Sequence, residues 1–239
     1  MSVSGISVFG LDANTTSVTA DTALTGDDPA GFPVDYVALD LETTGLNPGS
    51  SAITEIGAVR VRGGRIIDRF QQLINPLRPI PSRITALTGI TNEMVADLDP
   101  IDEVFPRFLT WIAEPGAGDE HTAGEPIVGH NVSFDLRFLN FNAQRIAGMD
   151  FACVDYDTMQ ISRTLFPSYR HHKLVDLIQR FGIADTEEHR ALSDAIQTQQ
   201  CFEWMRRYTC DNCDLGTFDW KIKPATTSPC IINRQLTLR

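Results

Sequence analysis

The spacing of apolar residues changes character along the chain, and the changes mark its elements. From Asp35 to Glu42 (DYVALDLE) a short apolar run is interrupted by acids, the pattern of a β-strand. Two more β-rich runs follow, Ile53 to Val61 and Arg65 to Ile74, separated by Gly63-Gly64. A pair of glycines between two such runs predicts a hairpin turn. Three strands in a row therefore begin the folded part, as an antiparallel meander. Pro79-Ile80-Pro81 is a stiff extended connector. Arg83 to Leu87 and Asn92 to Asp97 read as short helical turns. Residues 101 to 113 carry Val104, Phe105, Phe108, Leu109 and Ile112 at helical spacing and predict an amphipathic helix.

A polar, Gly-rich stretch, residues 114 to 125, reads as a loop. Pro126 to His130 is a buried-strand candidate. Ser133 to Ala147 predicts a helix with Ser133 as its cap and Phe134, Leu136, Phe138, Leu139 and Phe141 as its apolar positions. Ala152 to Tyr156 predicts a short strand. Further helices are expected over Met159 to Leu165, Leu174 to Phe181 and Arg190 to Tyr208. A meander followed by alternating helices and strands predicts an α/β domain, a mixed sheet with helices on its faces. No internal repeat is visible.

The two ends differ in texture from this middle. Residues 1 to 33 are rich in Ser, Thr, Ala, Gly and Asp, carry four Asp and no basic residue, and read as a mostly disordered leader. An extension without function is the plain alternative. Residues 209 to 239 form a second tail. The expected organisation is thus a leader over 1–33, a domain over 34–208 and a tail over 209–239.

Composition narrows the class. The chain has 239 residues and 42% hydrophobic content, enough for a real core. No apolar run approaches the ~20 residues that span a bilayer. No basic residue precedes a hydrophobic N-terminal segment, so a signal peptide is not expected. Five scattered Cys fit reduced thiols better than a disulfide framework, and a soluble cytoplasmic protein is expected. The net charge of -11 argues against a domain that coats nucleic acid by bulk charge. It leaves open an enzyme that handles phosphate through cations held by carboxylates.

Three elements carry candidate chemistry. Asp40 and Glu42 sit two apart in the first strand, so period-two geometry places both on one face. A carboxylate on a packed face is costly without a partner, and such a pair is a natural ligand set for a hard divalent cation. A solvated strand end is the bland alternative. Gly129-His130-Asn131-Val132-Ser133-Phe134-Asp135 runs from strand into helix, with Asp135 in the first helical turn, where an acid also suits the helix dipole. In His189-Arg190-Ala191-Leu192-Ser193-Asp194-Ala195 the His precedes the last helix and Asp194 falls in its second turn. Ala191 and Ala195 leave room there for an ion and a phosphate. Taken singly, His189 is a loop histidine and Asp194 a helix-surface acid.

Together these elements resemble the DnaQ-like 3′–5′ exonucleases of the branch with a catalytic histidine. That family carries Asp-x-Glu on its first strand, Asn-x-x-Phe-Asp in the middle and His-x-Ala-x-x-Asp near the end. Thr43-Thr44-Gly45, Asn75-Pro76, Leu87-Thr88-Gly89-Ile90-Thr91 and His172-Lys173-Leu174 match as well. The resemblance covers residues 34 to 208 and is nearest the proofreading members. It implies a ribonuclease H-like fold, a mixed five-stranded sheet with helices on both faces. It also implies catalytic residues Asp40, Glu42, Asp135, His189 and Asp194. Asp40, Glu42, Asp135 and Asp194 would hold two divalent cations, Mg²⁺ or Mn²⁺, with Asp40 shared between them and His189 as general base. Thr43, Thr44, Leu46, Leu87, Asn131 and Phe134 would line the groove for a single-stranded or frayed 3′ end, although Thr43, Thr44 and Asn131 also suit plain turn or cap roles.

The expected activity is hydrolysis of DNA from its 3′ end in replication proofreading or repair, with a DNA polymerase as a partner in trans. An exoribonuclease on the same scaffold and a non-catalytic binding module are the alternatives. Gln235 to Arg239 (QLTLR) resembles a sliding-clamp docking peptide, without its closing aromatic. Cys210, Cys213 and Cys230 offer three thiols where a structural zinc needs four ligands, so unpaired thiols are expected.

Overall fold

The computed structural model describes residues 31–113 and 125–212. Most of the leader, the loop before Glu125, Cys213, Cys230 and residues 235–239 lie outside the described residues.

The first three strands are β1 (Tyr36–Thr43), β2 (Ile53–Arg62) and β3 (Arg65–Leu73), and they pair antiparallel. Gly63 and Gly64 turn the β2–β3 hairpin at φ +55° and +76°, a conformation that glycine adopts without strain. Next come α1 (Ser82–Thr88), α2 (Asn92–Val95) and α3 (Ile101–Ala113). β4 (Ile127–Gly129) then leads into α4 (Ser133–Asn142), which continues through a π-helical turn, Ala143–Ala147. β5 (Asp155–Asp157), α5 (Thr158–Leu165), α6 (Leu174–Arg180) and α7 (Ala191–Asn212) complete the chain order. The sheet runs β3-β2-β1-β4-β5, with β4 parallel to both β1 and β5. It is the five-stranded mixed sheet expected.

Alternation along β1 assigns its side chains to two cores. Val37, Leu39 and Leu41 pack with Val104, Phe105 and Phe108 of α3 and with Phe138 and Leu139 of α4. Tyr36 and Ala38 face the other way, onto Leu177 and Ile178 of α6 and Cys201, Phe202 and Met205 of α7. Helices thus cover both faces. Asp40 and Glu42 continue the second series, so they point to the α7 side at the C-terminal end of the strand.

Several boundaries differ from the sequence reading. Phe32, placed in the leader, is fully buried and meets Phe202 edge to face at 5.2 Å, so the folded part begins before Val34. The strand expected over 152–156 pairs only from Asp155, because Phe151 and Cys153 are drawn into the α3–α4 core. Ser133 is not a cap: the helix begins after Val132, and no side chain caps it. Phe141 is 38% exposed rather than packed. The last helix starts at Ala191 and runs on to Asn212, which puts Asp194 in its first turn, not its second. Among the described residues no helix is long and apolar enough to cross a membrane.

Candidate active site

The site lies where β1 outruns its parallel neighbour. β4 pairs with β1 only through Val37 and Ala38, so the C-terminal half of β1 extends beyond it. Asp135, in the first turn of α4, fills part of that gap: its Oδ1 accepts the Leu41 N–H at 3.1 Å. One buried carboxylate thereby ties α4 to the strand between Asp40 and Glu42. The link from β4 to α4 is tight. A Cβ on Gly129 would lie 2.5 Å from the Val132 side chain, and Asn131 turns at φ +57°, with its N–H donated to Asp157 Oδ1 at 2.9 Å.

From the other side comes α7. His189 precedes it at φ +51°, a left-handed residue that turns the chain into the helix. Asp194 is 3% exposed; its carboxylate accepts the Glu188 N–H, and its Oδ1 has no hydrogen-bond partner. Asp40, Glu42 and Asp194 each offer an oxygen, and these oxygens lie within 4.8 Å of one another. A second group of the same compactness joins Glu187, His189 and Asp194, with His189 Nδ1 3.4 Å from Glu187 Oε1.

Burial and mutual repulsion shape the titration of these acids. Burial first, then the charges of Asp194 and Glu55, push Glu42 up to about 8. Burial followed by the charge of Glu187 pushes Asp194 up to about 7. Asp40 is driven well above the usual carboxylate range, by burial and then by Asp135, Glu42 and Asp194. Burial raises Asp135 too, against the backbone N–H bonds it accepts. Such a cluster keeps protons near neutral pH until a cation displaces them. The donor set suits a hard cation: all oxygen, one of them buried and unpartnered, and no Cys.

The other expected site residues divide into two kinds. Thr43 donates its hydroxyl to the Gly45 carbonyl at 2.7 Å, and Thr44 Oγ1 accepts the Ala52 N–H at 2.9 Å. Both are buried, and both hydroxyls are engaged in the turn after β1. Leu46 and Leu87 instead stand 79% and 51% exposed, large apolar groups open to solvent. Phe134 is partly buried against Phe138, and Asn131 is exposed. Cys210 is exposed, while Cys153 and Cys201 are buried.

Sequence reasoning missed Glu187, Glu55, Arg190 and Gly57. Glu55 was detectable, as an acid inside the apolar run Ile53-Thr54-Glu55-Ile56. In the register Glu55 stands opposite Glu42, and Gly57 opposite Asp40. Glu187 gave no such signal, since its nearness to His189 depends on the loop.

A family model described as an exonuclease (RNase T) matches residues 37–202. The chain is 38% identical over 164 residues to a DNA polymerase III of PolC type from Bacillus cereus, covering 68% of this chain and 11% of that protein. It therefore spans about a tenth of the length of that relative. Among solved structures, an exonuclease X in complex with 5′ overhanging duplex DNA is similar at 28% identity, with a TM-score of 0.55, over 72% of this chain and 92% of that one. A 3′-exonuclease that recognises a histone mRNA stem-loop aligns at 19% identity with a TM-score of 0.60, over 75% and 65% of the two chains. That likeness bears on the fold alone.

Proposed function

The chain belongs to the exonuclease family of RNase T and DnaQ-like type, and on that premise we propose that it hydrolyses DNA from the 3′ end with two divalent cations, Mg²⁺ or Mn²⁺. The observation that carries this reading is the convergence of Asp40, Glu42 and Asp194 within 4.8 Å, on a buried Asp194 oxygen without a protein partner. Asp40 would serve both ions, Glu42 and Asp194 the one on the side of the attacking water, and Asp135 the other. When bound, a pair of such ions stabilises both the attacking and the leaving oxygen of a phosphoryl displacement.

The protein's own groups do the rest. His189 stands at the rim, 37% exposed by its side chain, with Nδ1 toward Glu187. Its Nε2 is therefore the atom that takes the proton from water as the oxygen attacks phosphorus. The P–O3′ bond breaks, releasing a 5′-mononucleotide and a new 3′-hydroxyl. Leu46 and Leu87 offer apolar surface on which terminal bases stack without regard to sequence. Asn131 and Phe134 precede Asp135 and would position the last nucleotide; Thr43 and Thr44 brace the turn after β1.

Residues 34 to 208, with Phe32 packed onto them and α7 running on to Asn212, are the working unit of this reading, and the similarity to a DNA polymerase III favours a proofreading or repair role beside a polymerase in the cytoplasm. DNA is preferred to RNA because the PolC-type polymerase and the exonuclease X structure, both above 25% identity, are named for DNA. Docking of residues 235–239 to a sliding clamp is a subsidiary expectation. The test is a panel of 5′-labelled single-stranded DNA, mismatched primer ends and RNA, with Mg²⁺, Mn²⁺ or EDTA. A ladder shortening from the 3′ end, abolished by EDTA and strongest on DNA, is expected. No cleavage of any substrate would leave a binding module; faster cleavage of RNA would reassign the substrate.

A further inference from the structure

Glu55 is a fully buried carboxylate in the middle of the sheet, yet it belongs to neither group of candidate metal ligands. Its two oxygens are surrounded by donors. Arg190 binds it in a fork, Nε to Oε2 at 3.0 Å and Nη2 to Oε1 at 2.9 Å. Ala191 N–H, at the first position of α7, donates to Oε2 at 3.1 Å. Gln71 Nε2, from β3, donates to Oε1 at 2.8 Å. The residues held in this way, Arg190 and Ala191, stand directly between His189 and Asp194 in sequence.

Two further observations bear on what this contact does. Gly57, two residues along the same face of β2, touches the backbone of α7: a Cβ there would lie 2.1 Å from Ala191 C and from Leu192 N. The helix start is therefore pressed against the strand with no room for adjustment. His189, one residue before the fork, occupies a left-handed conformation that an ordinary helix approach does not impose. A carboxylate bonding the first free N–H of a helix also meets the positive end of its dipole.

We propose that Glu55 and Arg190 form a positioning lock, which holds the first turn of α7 at the depth where Asp194 reaches Asp40 and Glu42 and His189 reaches the attacking water. Neither residue belongs to the candidate metal-ligand groups; both act through the start of α7. The lock rests on the nuclease reading above for its effect on turnover, but its effect on α7 is independent of that reading. Misplacing a reacting group by about 1 Å costs on the order of 10²-fold in rate. Lysine cannot replace the fork, because a point charge lacks the paired, planar donors of guanidinium.

The experiment compares Glu55→Gln, Arg190→Ala, Arg190→Lys and the double variant E55Q/R190A in the full chain. Amide exchange followed by mass spectrometry is expected to show lost protection confined to the start of α7, with the sheet unchanged. On a 3′-labelled oligonucleotide with Mn²⁺, kcat is expected to fall about 10²-fold with KM nearly unchanged. The double variant should be no slower than the worse single one, since the pair acts as a unit. Arg190→Lys should recover only part of the loss, and it is the variant to rely on if Glu55→Gln does not fold. Losses that multiply in the double variant, or full activity in Arg190→Ala, would overturn the lock. So would unchanged exchange at the start of α7, even if the parent chain proves inactive; inactivity of the parent alone would instead sink the nuclease reading.

Discussion

Two sides of one strand behave in opposite ways. On the α3–α4 side, β1 presents Val37, Leu39 and Leu41, all buried and all apolar. On the α7 side the series begins the same way, with Tyr36 and Ala38, and then becomes acidic at Asp40 and Glu42. The backbone is the same, and so is the period of two. The difference is what lies opposite: on one side a continuous apolar wall, on the other a helix start brought close by Gly57 and Glu55. Both sides hold a buried apolar core, but only on the second does β1 end in carboxylates, which burial and the charges of neighbouring acids hold above their usual pKa range. The proposed chemistry sits where the apolar series along β1 gives way to acids.

Substitutions on the two sides should therefore separate activity from stability. Asp40→Asn is expected to cause the largest loss. On the proposed two-cation reading, losing the Asp40 carboxylate forfeits several kcal/mol of transition-state stabilisation, or about 10³-fold or more in kcat. Its melting temperature in EDTA should be unchanged or higher, because a half-buried acid crowded by Asp135, Glu42 and Asp194 is gone. A lower melting temperature would show that Asp40 is structural. Leu39→Ala, one residue away on the other side, should lose about 2–5 kcal/mol in denaturant unfolding. The fraction that remains folded should cleave at the parental rate.

Gly57→Ala probes the boundary between the two regimes. Its methyl group has nowhere to go except into the α7 backbone. Overpacking of about 1–3 kcal/mol is expected, together with reduced kcat, since the helix start must move. Full activity in a stably folded variant would mean that the close approach is dispensable.

A smaller effect distinguishes the acidic side by pH. In the folded chain Glu42 and Asp194 hold their protons to about 8 and about 7, whereas an unfolded chain releases them near pH ~4. Proton binding thus favours the folded form at acid pH, and this contribution is lost as pH rises through the folded values. In EDTA the melting temperature should fall between roughly pH 5 and pH 8.5, and Mn²⁺ should remove most of the decline. A flat profile in EDTA would contradict the raised values. Least of all is expected from Leu46→Ala: an exposed stacking group should raise KM by about tenfold at most and leave stability unchanged.

Much of this was legible before folding. The alternation of β1 shows both its strand character and the common face of Asp40 and Glu42, because side-chain direction in a strand follows from backbone geometry alone. The Gly63-Gly64 hairpin and the amphipathic spacing of residues 101 to 113 were readable for the same local reason. Boundaries were less so. Phe151 and Cys153 look like strand residues but are apolar because the core takes them, and Phe32 looks like part of a tail until Phe202 covers it.

By itself, then, the sequence determined which residues share a face and which short motifs can carry metal and proton chemistry, since those properties depend on near neighbours in the chain. Only the tertiary structure decided that Asp194 arrives beside Asp40, that Asp135 bonds the Leu41 amide, and that Glu55 holds the start of α7. Those contacts join residues 94 to 136 positions apart in the pairs Leu41–Asp135 and Glu55–Ala191. No local pattern encodes a distance of that kind; it follows from how β2 and α7 pack, down to the missing side chain at Gly57.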